Sequence, residues 1–597
     1  MISKLYSDIQ IAAAKGVQEQ FGVEIDPSIL ALQETRKDFE GDFTLVVFPL
    51  AKFKLGAPPV IGETLGKYLA EELDFVASFN VIKGFLNLKL TDAYWCSFLA
   101  NASVNEGFLK RKDGNGQKVV VEYCSPNTNK PLHLGHLRNI VLGYSMTEVL
   151  KANGYEAHPV CLFNDRGTAI SKSMHAWLVA GKNDTPESTG IKGDLLVGNY
   201  YVEYAKLNDI EIHQLIEDGM EEAEAKKTAP SSVAVQDILI KWENGDKEIR
   251  ALWENMNTWV YEAYHNTFDR LGISFEKFYY ESQLYQLGKD AVMKGLKSGA
   301  FYQKDDGSVW VDLTDDGLDH KLLLRSNGTS VYMTQDIATA DVRFQDYGMN
   351  SSVYVVGNEQ DYHFKVLFLI LKKLGYSFAE GLHHLSYGMV DLPTGKMKSR
   401  EGKAVDADDL LDQMEQTARE TTEELGKTEG MSEAELQELY QSIALSALKY
   451  FLVKVDPQKR MLFDPNESVD IHGHTGPFIQ YAYTRTASIQ RKAEDVASFE
   501  EGTKPELELH ENERFLLRRM AFYRQVLKEA AENYNPSLIA NYVYELAKDY
   551  NRFYHGDKIL HSDHPATSSF RFALSNFAGA IMKESMRLLG INMPERM

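Results

Sequence analysis

The chain has 597 residues, 44% apolar and 25% charged, with a formal charge of −22. That length exceeds a single compact core, so three or four domains are expected, and no apolar run approaches the roughly twenty residues of a membrane span. The acidity disfavours nucleic acid as a partner on composition alone; an RNA site here would have to be a local basic surface on an acidic body.

The start, MISKLYSDIQIAAAKGVQEQFG, reads as an amphipathic helix and lacks the basic flank, apolar run and cleavage site of a signal peptide. Residues 1 to about 115 alternate helical and strand-like segments, closing on VIKGFLNLKL, and RKDGNGQK (111–118) reads as a linker. From KVVVEY onward the pattern is strand, loop, helix, strand. HLRNIVLGYSMTEVLKANG predicts a helix ending at Gly154 and EAHPVCLFN a following strand, the order of a parallel α/β sheet.

Residues from about 180 to 300 are acidic and mainly helical and read as an insertion in that domain. The sheet pattern resumes in SVYVV and LSYGMV; past about 406 nearly everything is helical, apart from a turn at GHTG (473–476). The boundaries expected are 1–115, 116–405, a helical connector 406–470 and a last helical unit 471–597. Cys96, Cys124 and Cys161 stand at unrelated spacings, giving neither a disulfide framework nor a CxxC metal site, and a cytoplasmic, reducing compartment is expected.

Chemistry concentrates in VEYCSPNTNKPLHLGHLRN (121–139). Glu122 ends a strand and the next helix begins near Leu134 or Gly135, where an open α/β sheet binds ligands and a helix amino terminus attracts anions. Gly135 lets a flat ring or phosphate approach the backbone, and His133 and His136 can donate to phosphate oxygens. A zinc pair on a helix more often uses i, i+4 spacing and needs further ligands, which are not nearby, so the phosphate reading is preferred. A second cationic loop, GKMKSREGKAVDADDLL (395–411), follows LSYGMVDLPT and holds Lys396, Lys398, Arg400 and Lys403.

HLGH resembles the HIGH motif of class I aminoacyl-tRNA synthetases, and the string with SPN-x-x-KP resembles the form carried by arginyl-tRNA synthetases. KMKSREG is similar to their KMSKS loop, with Ser399 in place of the second lysine and Lys130 placed to supply a replacement cation. The resemblance implies a Rossmann-like parallel-sheet catalytic domain with an insertion, an α+β amino-terminal domain that contacts the tRNA elbow, and an all-α anticodon-binding domain. It implies ATP contacts from His133, Gly135, His136, Met389, Val390, Lys396, Met397, Lys398, Ser399 and Arg400. Catalysis would come from positioning and from charge on His133, His136, Lys130 and Lys396.

A guanidinium needs carboxylates or neutral acceptors in a planar fork. By the resemblance, Glu122 and Asp336 hold it, Tyr332 and Gln360 contact polar groups of the substrate, and Asn127, with Ser125 beside it, serves the amino-acid end. A cap or ion pair is the plainer role for any one such acid taken alone. In the last unit, Phe478, Tyr481 and Tyr483 are candidates to stack on anticodon bases, with local charge from Arg518, Arg519, Arg524 and Lys528. The expected partners are ATP with Mg2+, arginine and tRNA(Arg), with no zinc, no membrane and a monomeric enzyme. Rival readings are another class I-like nucleotidyltransferase and a non-enzymatic RNA-binding scaffold.

Overall fold

The computed structural model describes residues 2–597 except 37, 182, 330, 394–404, 427–429, 494–495, 504, 507 and 561–562. Its amino-terminal module is α+β. Helix α1 (Ile2–Phe21) buries Leu5, Ile9, Ala13 and Val17 at four-residue spacing, the pattern of a helix with one apolar face. With α2 (Pro58–Glu72) and α3 (Asp92–Ser103) it accompanies an antiparallel sheet of order β1-β2-β4-β3. Those strands are β1 (Leu32–Glu34), β2 (Phe43–Val46), β3 (Val76–Ile82) and β4 (Phe85–Leu90).

The central domain is a five-stranded, all-parallel sheet of order β12-β11-β5-β6-β7. Its middle strand β5 (Lys118–Glu122) is the buried run KVVVE, as a strand covered on both faces should be. Chain order reverses across β5: α4 (Leu134–Ala152) leads to β6 (Glu156–Phe163) on one side, while β11 (Ser351–Gly357) lies on the other. That switch point fixes where a ligand crevice opens. Helix α4 lies tightly on the sheet; a Cβ at Gly143 would sit 2.2 Å from the Tyr123 ring, so only glycine fits there.

Between β6 and β7 (Lys277–Tyr280) lies a helical segment: α5 (Thr168–Ala180), α6 (Pro186–Thr189), α7 (Gly193–Glu217), α8 (Glu222–Thr228), α9 (Pro230–Glu243) and α10 (Lys247–Arg270). The expected insertion of about 180–300 therefore overlaps the sheet, which resumes at Lys277 with β7 paired to β6. Past the one-turn α11 (Glu281–Leu284) and α12 (Leu287–Ser298) comes a small antiparallel sheet absent from the sequence reading: β8 (Tyr302–Gln303), β9 (Val309–Val311) and β10 (Lys321–Leu324). Helix α13 (Tyr332–Tyr347), β11, α14 (Asp361–Lys373) and β12 (Leu382–Tyr387) complete the domain.

Among the described residues, the rest is helical apart from one short pairing of β13 (Val390–Asp391) with β14 (Met461–Leu462). Its helices are α15 (Ala407–Leu425), α16 (Glu433–Lys454), α17 (Pro465–Ser468), α18 (Gly476–Lys492), α19 (Glu511–Ala521), α20 (Tyr523–Glu532), α21 (Ser537–Gly556) and α22 (Pro565–Leu588). This bundle holds the amino-terminal module with arginines. Arg514 pairs with Asp92 and donates to Leu90 O; Arg518 donates to Gly41 O (2.9 Å) and meets Glu34 (3.2 Å). Arg519 lies between Glu34 and Asp549, and Arg524 donates to the carbonyls of Gly107, Phe108 and Lys110. Three of the four cations expected to form a basic RNA surface are thus consumed in joining domains, which corrects that expectation.

One buried pair inside the bundle is testable. Arg571 donates to Glu513 at 2.7 Å, both side chains 2% exposed, with Asp557 at 3.6 Å. Removing one partner of a buried pair strands the other, whereas removing both costs far less. Arg571→Met should destabilise the fold by ~3–5 kcal/mol and lower the unfolding temperature. Adding Glu513→Leu should restore much of the loss, and an equal or greater loss in the double variant would show that the pair's electrostatics are not what matters.

Candidate functional site

The loop after β5 is held from three sides. Cys124 and Ser125 both take the left-handed conformation (φ 69° and 38°), which costs non-glycine residues energy and needs outside support. Asn139 of α4 supplies it, accepting from Cys124 N (2.5 Å) while donating to Val355 O of β11 (2.7 Å). Asn164, just past β6, donates to Ser125 O (3.0 Å), and the Tyr264 hydroxyl of α10 donates to the carbonyls of Asn127 and Lys130.

The loop ends in a capping box. His133 is the N-cap of α4 and its Nδ1 accepts from Gly135 N; Nδ1 of His136 accepts from His133 N, both at 3.1 Å. A ring nitrogen that accepts a backbone N–H is unprotonated, so each imidazole carries its proton on Nε2. The rings lie 3.9 Å apart. Burial, with the nearby Lys130 charge, pushes the His133 pKa down to about 4, and burial with His133 and Lys130 pushes His136 well below its ordinary value. At neutral pH the pair therefore offers two uncharged N–H donors at a helix amino terminus, a corrected view of residues expected to act as charges.

The residues just past the cationic stretch of the second basic loop, Asp406 and Ala407, meet this turn. Leu132 O accepts from Ala407 N (2.9 Å) and His133 bridges to Asp406, so the chain emerging from that loop is stitched to HLGH. On its entry side Met389 is exposed and Val390 buried. Lys396, Met397, Lys398, Ser399 and Arg400 lie outside the described residues.

Across the switch point the chain gathers acids. Glu122 is 7% exposed; one oxygen accepts from Arg343 (2.5 Å) and the other from Ser125 Oγ (2.7 Å). Burial works against the Arg343 charge, but Glu122 outweighs it and keeps the guanidinium protonated. Asp336, on the second turn of α13, accepts from or pairs with His363 Nε2 of α14 at 2.6 Å. The Asp336 hydrogen bond lifts the His363 pKa above the usual imidazole value despite burial. Burial pushes the Tyr354 phenol to about 12; Arg343 opposes the rise, and both Glu122 and Asp336 add to it. Tyr332 (78% exposed), Gln360 and Asn127 stand open at the same carboxyl edge, after α13's start, β11 and β5.

A third acid escaped the sequence reading. Glu281 directly follows β7, and burial lifts its pKa to about 7; Arg166 and Gln335 work against that rise, while Asp165 and Asp336 add to it. Its signal was present: FYYES ends a strand in an acid as VVVEY does, but the strand was assigned to the insertion. The crevice thus presents anion donors at α4 and paired acids a few side chains away, suited to a polyphosphate and a planar cation together.

In the bundle, Phe478 is half-buried against Tyr544 (5.2 Å between rings) and Arg485 lies over Tyr481 at 5.0 Å. Tyr483 is 8% exposed and offers no free face to a base, which corrects its candidacy.

A family model described as tRNA synthetases class I (R), catalytic domain, matches residues 99–464, and a DALR anticodon binding domain model matches 479–597. The chain is 48% identical over 596 residues to an arginine–tRNA ligase of Bacteroides thetaiotaomicron, with all of both chains covered. It is 49% identical to that of Parabacteroides distasonis, covering 98% of each. The solved Thermus thermophilus arginyl-tRNA synthetase superposes with a TM-score of 0.77 at 25% identity, covering 99% of this chain and 100% of that one. The Plasmodium falciparum arginyl-tRNA synthetase, at 20% identity and TM-score 0.76 over 99% of each chain, shares the fold.

The Asp336–His363 contact has a direct readout. Because the acid raises the imidazole pKa and burial lowers it, Asp336→Asn should drop the His363 pKa below the ordinary imidazole value. Titrating the 13Cε1-labelled histidine by NMR checks this; an unchanged His363 pKa would mean the acid does not govern it.

Proposed function

This chain belongs to the arginyl-tRNA synthetases of class I, and on that premise we propose which of its residues carry the reaction. It is an arginine–tRNA ligase, acting in translation. A carboxylate oxygen of arginine attacks the α-phosphorus of ATP, the α–β phosphoanhydride breaks, and pyrophosphate leaves from arginyl-adenylate. A terminal ribose hydroxyl of tRNA(Arg) then takes the arginyl group and AMP departs. No protein nucleophile is required, so catalysis rests on positioning and on donors aimed at developing charge.

The carrying observation is the paired capping geometry of His133 and His136, which leaves both Nε2–H groups for phosphate oxygens. Gly135 admits the nucleotide between them, and Met389 and Val390 line its approach. The cationic work falls to Lys130 and to Lys396, Lys398 and Arg400, with Met397 and Ser399 in the same loop; magnesium enters with ATP as its counter-ion.

For the amino acid, Arg343 already balances Glu122, which keeps acceptor capacity but little net charge. The guanidinium's charge is then met by Asp336 and Glu281, with Tyr332, Gln360, Ser125 and Asn127 satisfying its remaining donors and the amino-acid end. Acceptors arranged for a planar fork discriminate against lysine, a point charge. Phe478 and Tyr481 remain candidates for anticodon contact, and the buried thiols Cys96, Cys124 and Cys161 fit a monomer working in a reducing cytoplasm.

ATP–pyrophosphate exchange with each amino acid, with and without tRNA, tests the reading. Exchange is expected with arginine when tRNA is present, and its absence there would overturn the assignment. His136→Ala should lower kcat by a factor on the order of 10²–10³, the usual cost of one preorganised donor. Glu281→Gln should raise the arginine KM about tenfold or more, with ATP KM nearly unchanged.

A further inference from the structure

Residues 165 and 166, immediately past β6, join the arginine pocket to the helical insertion. Asp165 is fully buried; its carboxylate accepts from Ser282 N (2.8 Å), Ser282 Oγ (2.6 Å) and the Tyr261 hydroxyl (2.9 Å). Its carbonyl accepts from Trp253 Nε1 (2.6 Å) of α10. Arg166 faces the other way. Its guanidinium lies 4.0 Å from the Tyr285 ring and 5.5 Å from the Trp242 ring, and donates to Glu243 of α9 at 2.6 Å.

Two details fix that stance. Tyr285 N donates to Glu281 O (3.1 Å), so the ring under Arg166 stands one helical turn from the Glu281 carboxylate, on the same face. Trp242 is clamped in turn by Arg250, which lies 3.6 Å from its ring and donates to its carbonyl. Arg166 is therefore one cation between two acids, exposed Glu243 on the insertion and half-buried Glu281 in the pocket.

We propose that Arg166 is a positioning residue for arginine binding: shared between Glu243 and Glu281, it lets the stance of the helical insertion set how strongly the pocket holds its cationic substrate. The proposal rests on the reading of Glu281 as an arginine ligand. The groups facing Glu281 are Arg166 and Asp165 from the end of β6, and Gln335 and Asp336 from α13, with His363 of α14 behind Asp336. Burial is what raises the Glu281 pKa most, and of these groups Arg166 is the permanent cation that opposes it, so its position shifts the balance of Glu281 ionisation in the neutral range. An ionised Glu281 attracts a guanidinium; a protonated one does not.

The test is arginine KM in tRNA-supported ATP–pyrophosphate exchange from pH 6.5 to 8.5, each variant compared with wild type at the same pH. Without Arg166 the Glu281 carboxyl holds its proton to higher pH, and each unit of upward shift costs about tenfold in the ionised fraction below it. Arg166→Gln should raise KM about tenfold near pH 7, with the defect shrinking toward pH 8.5 and kcat changing little. Arg166→Lys should restore most of the affinity, and Glu243→Gln, which releases Arg166 to Glu281, should move the profile to lower pH. In a Glu281→Gln background, Arg166→Gln should add almost nothing. A KM defect equal at every pH, or one that adds fully to Glu281→Gln, overturns the relay. If Glu281→Gln itself leaves arginine KM unchanged, it is the pocket assignment that fails.

Discussion

Arg138 is the residue on which the site's geometry depends. It is fully buried two positions after His136, and its guanidinium donates to the carbonyls of Gly388, Asp456, Pro457 and Lys459. The helical turn that presents the two imidazoles thereby also holds the strand end leading to the second basic loop and the connector beyond it. Burial lowers the Arg138 pKa to about 10, which leaves it charged at neutral pH with carbonyl dipoles as its main partners. Hydrogen bonds from a charged donor are worth about 1.5–3 kcal/mol each, and losing one side leaves buried acceptors unpaired. The HLGH turn, the end of β12 and the connector at 456–459 are therefore one mechanical unit.

The proposed arginine pocket faces the opposite problem, because it must stay folded when its cationic substrate is absent. Three uncompensated acids in a half-buried crevice would protonate or open the site. Each has a partner of its own, graded in permanence. Arg343 is fully buried and holds Glu122 at all times. His363 is titratable and one-quarter exposed, so it can yield Asp336 to an entering guanidinium by losing a proton. Arg166 has a second acid to turn to. In the proposed pocket, substrate arginine would compete most easily where the resident cation is weakest, at Asp336.

Much of this was legible because it is local. The strand–loop–helix around HLGH, its glycine, and the acid ending β5 are encoded within twenty residues, and the parallel sheet follows from the order of elements. Glu281 was only faintly legible: FYYES places an acid at a strand end, but KFYY is only four residues long and becomes a sheet strand through register with Val160–Phe163. Nor could sequence separate working arginines from solvated ones: Arg138, Arg343 and Arg166 look like surface charge until burial is known. The same blindness made Arg518, Arg519 and Arg524 look like an RNA patch, although their donors point into the seam between domains.

In the proposed mechanism the neutrality of His133 and His136 has a catalytic logic of its own. Cationic imidazoles would attract the ATP polyphosphate strongly from the outset, and stabilisation given equally to ground and transition states does not speed the chemical step. A neutral Nε2–H fixed by a backbone bond on Nδ1 gains most as charge accumulates on the oxygens around the α-phosphorus. Its orientation is set in advance, so it loses nothing to reorganisation at that moment. Burial chiefly keeps the two rings unprotonated, and the charge of Lys130, in the same loop, adds to it. The proposed division of labour is then between lysines that balance the polyphosphate and rigid, uncharged donors that favour the transition state.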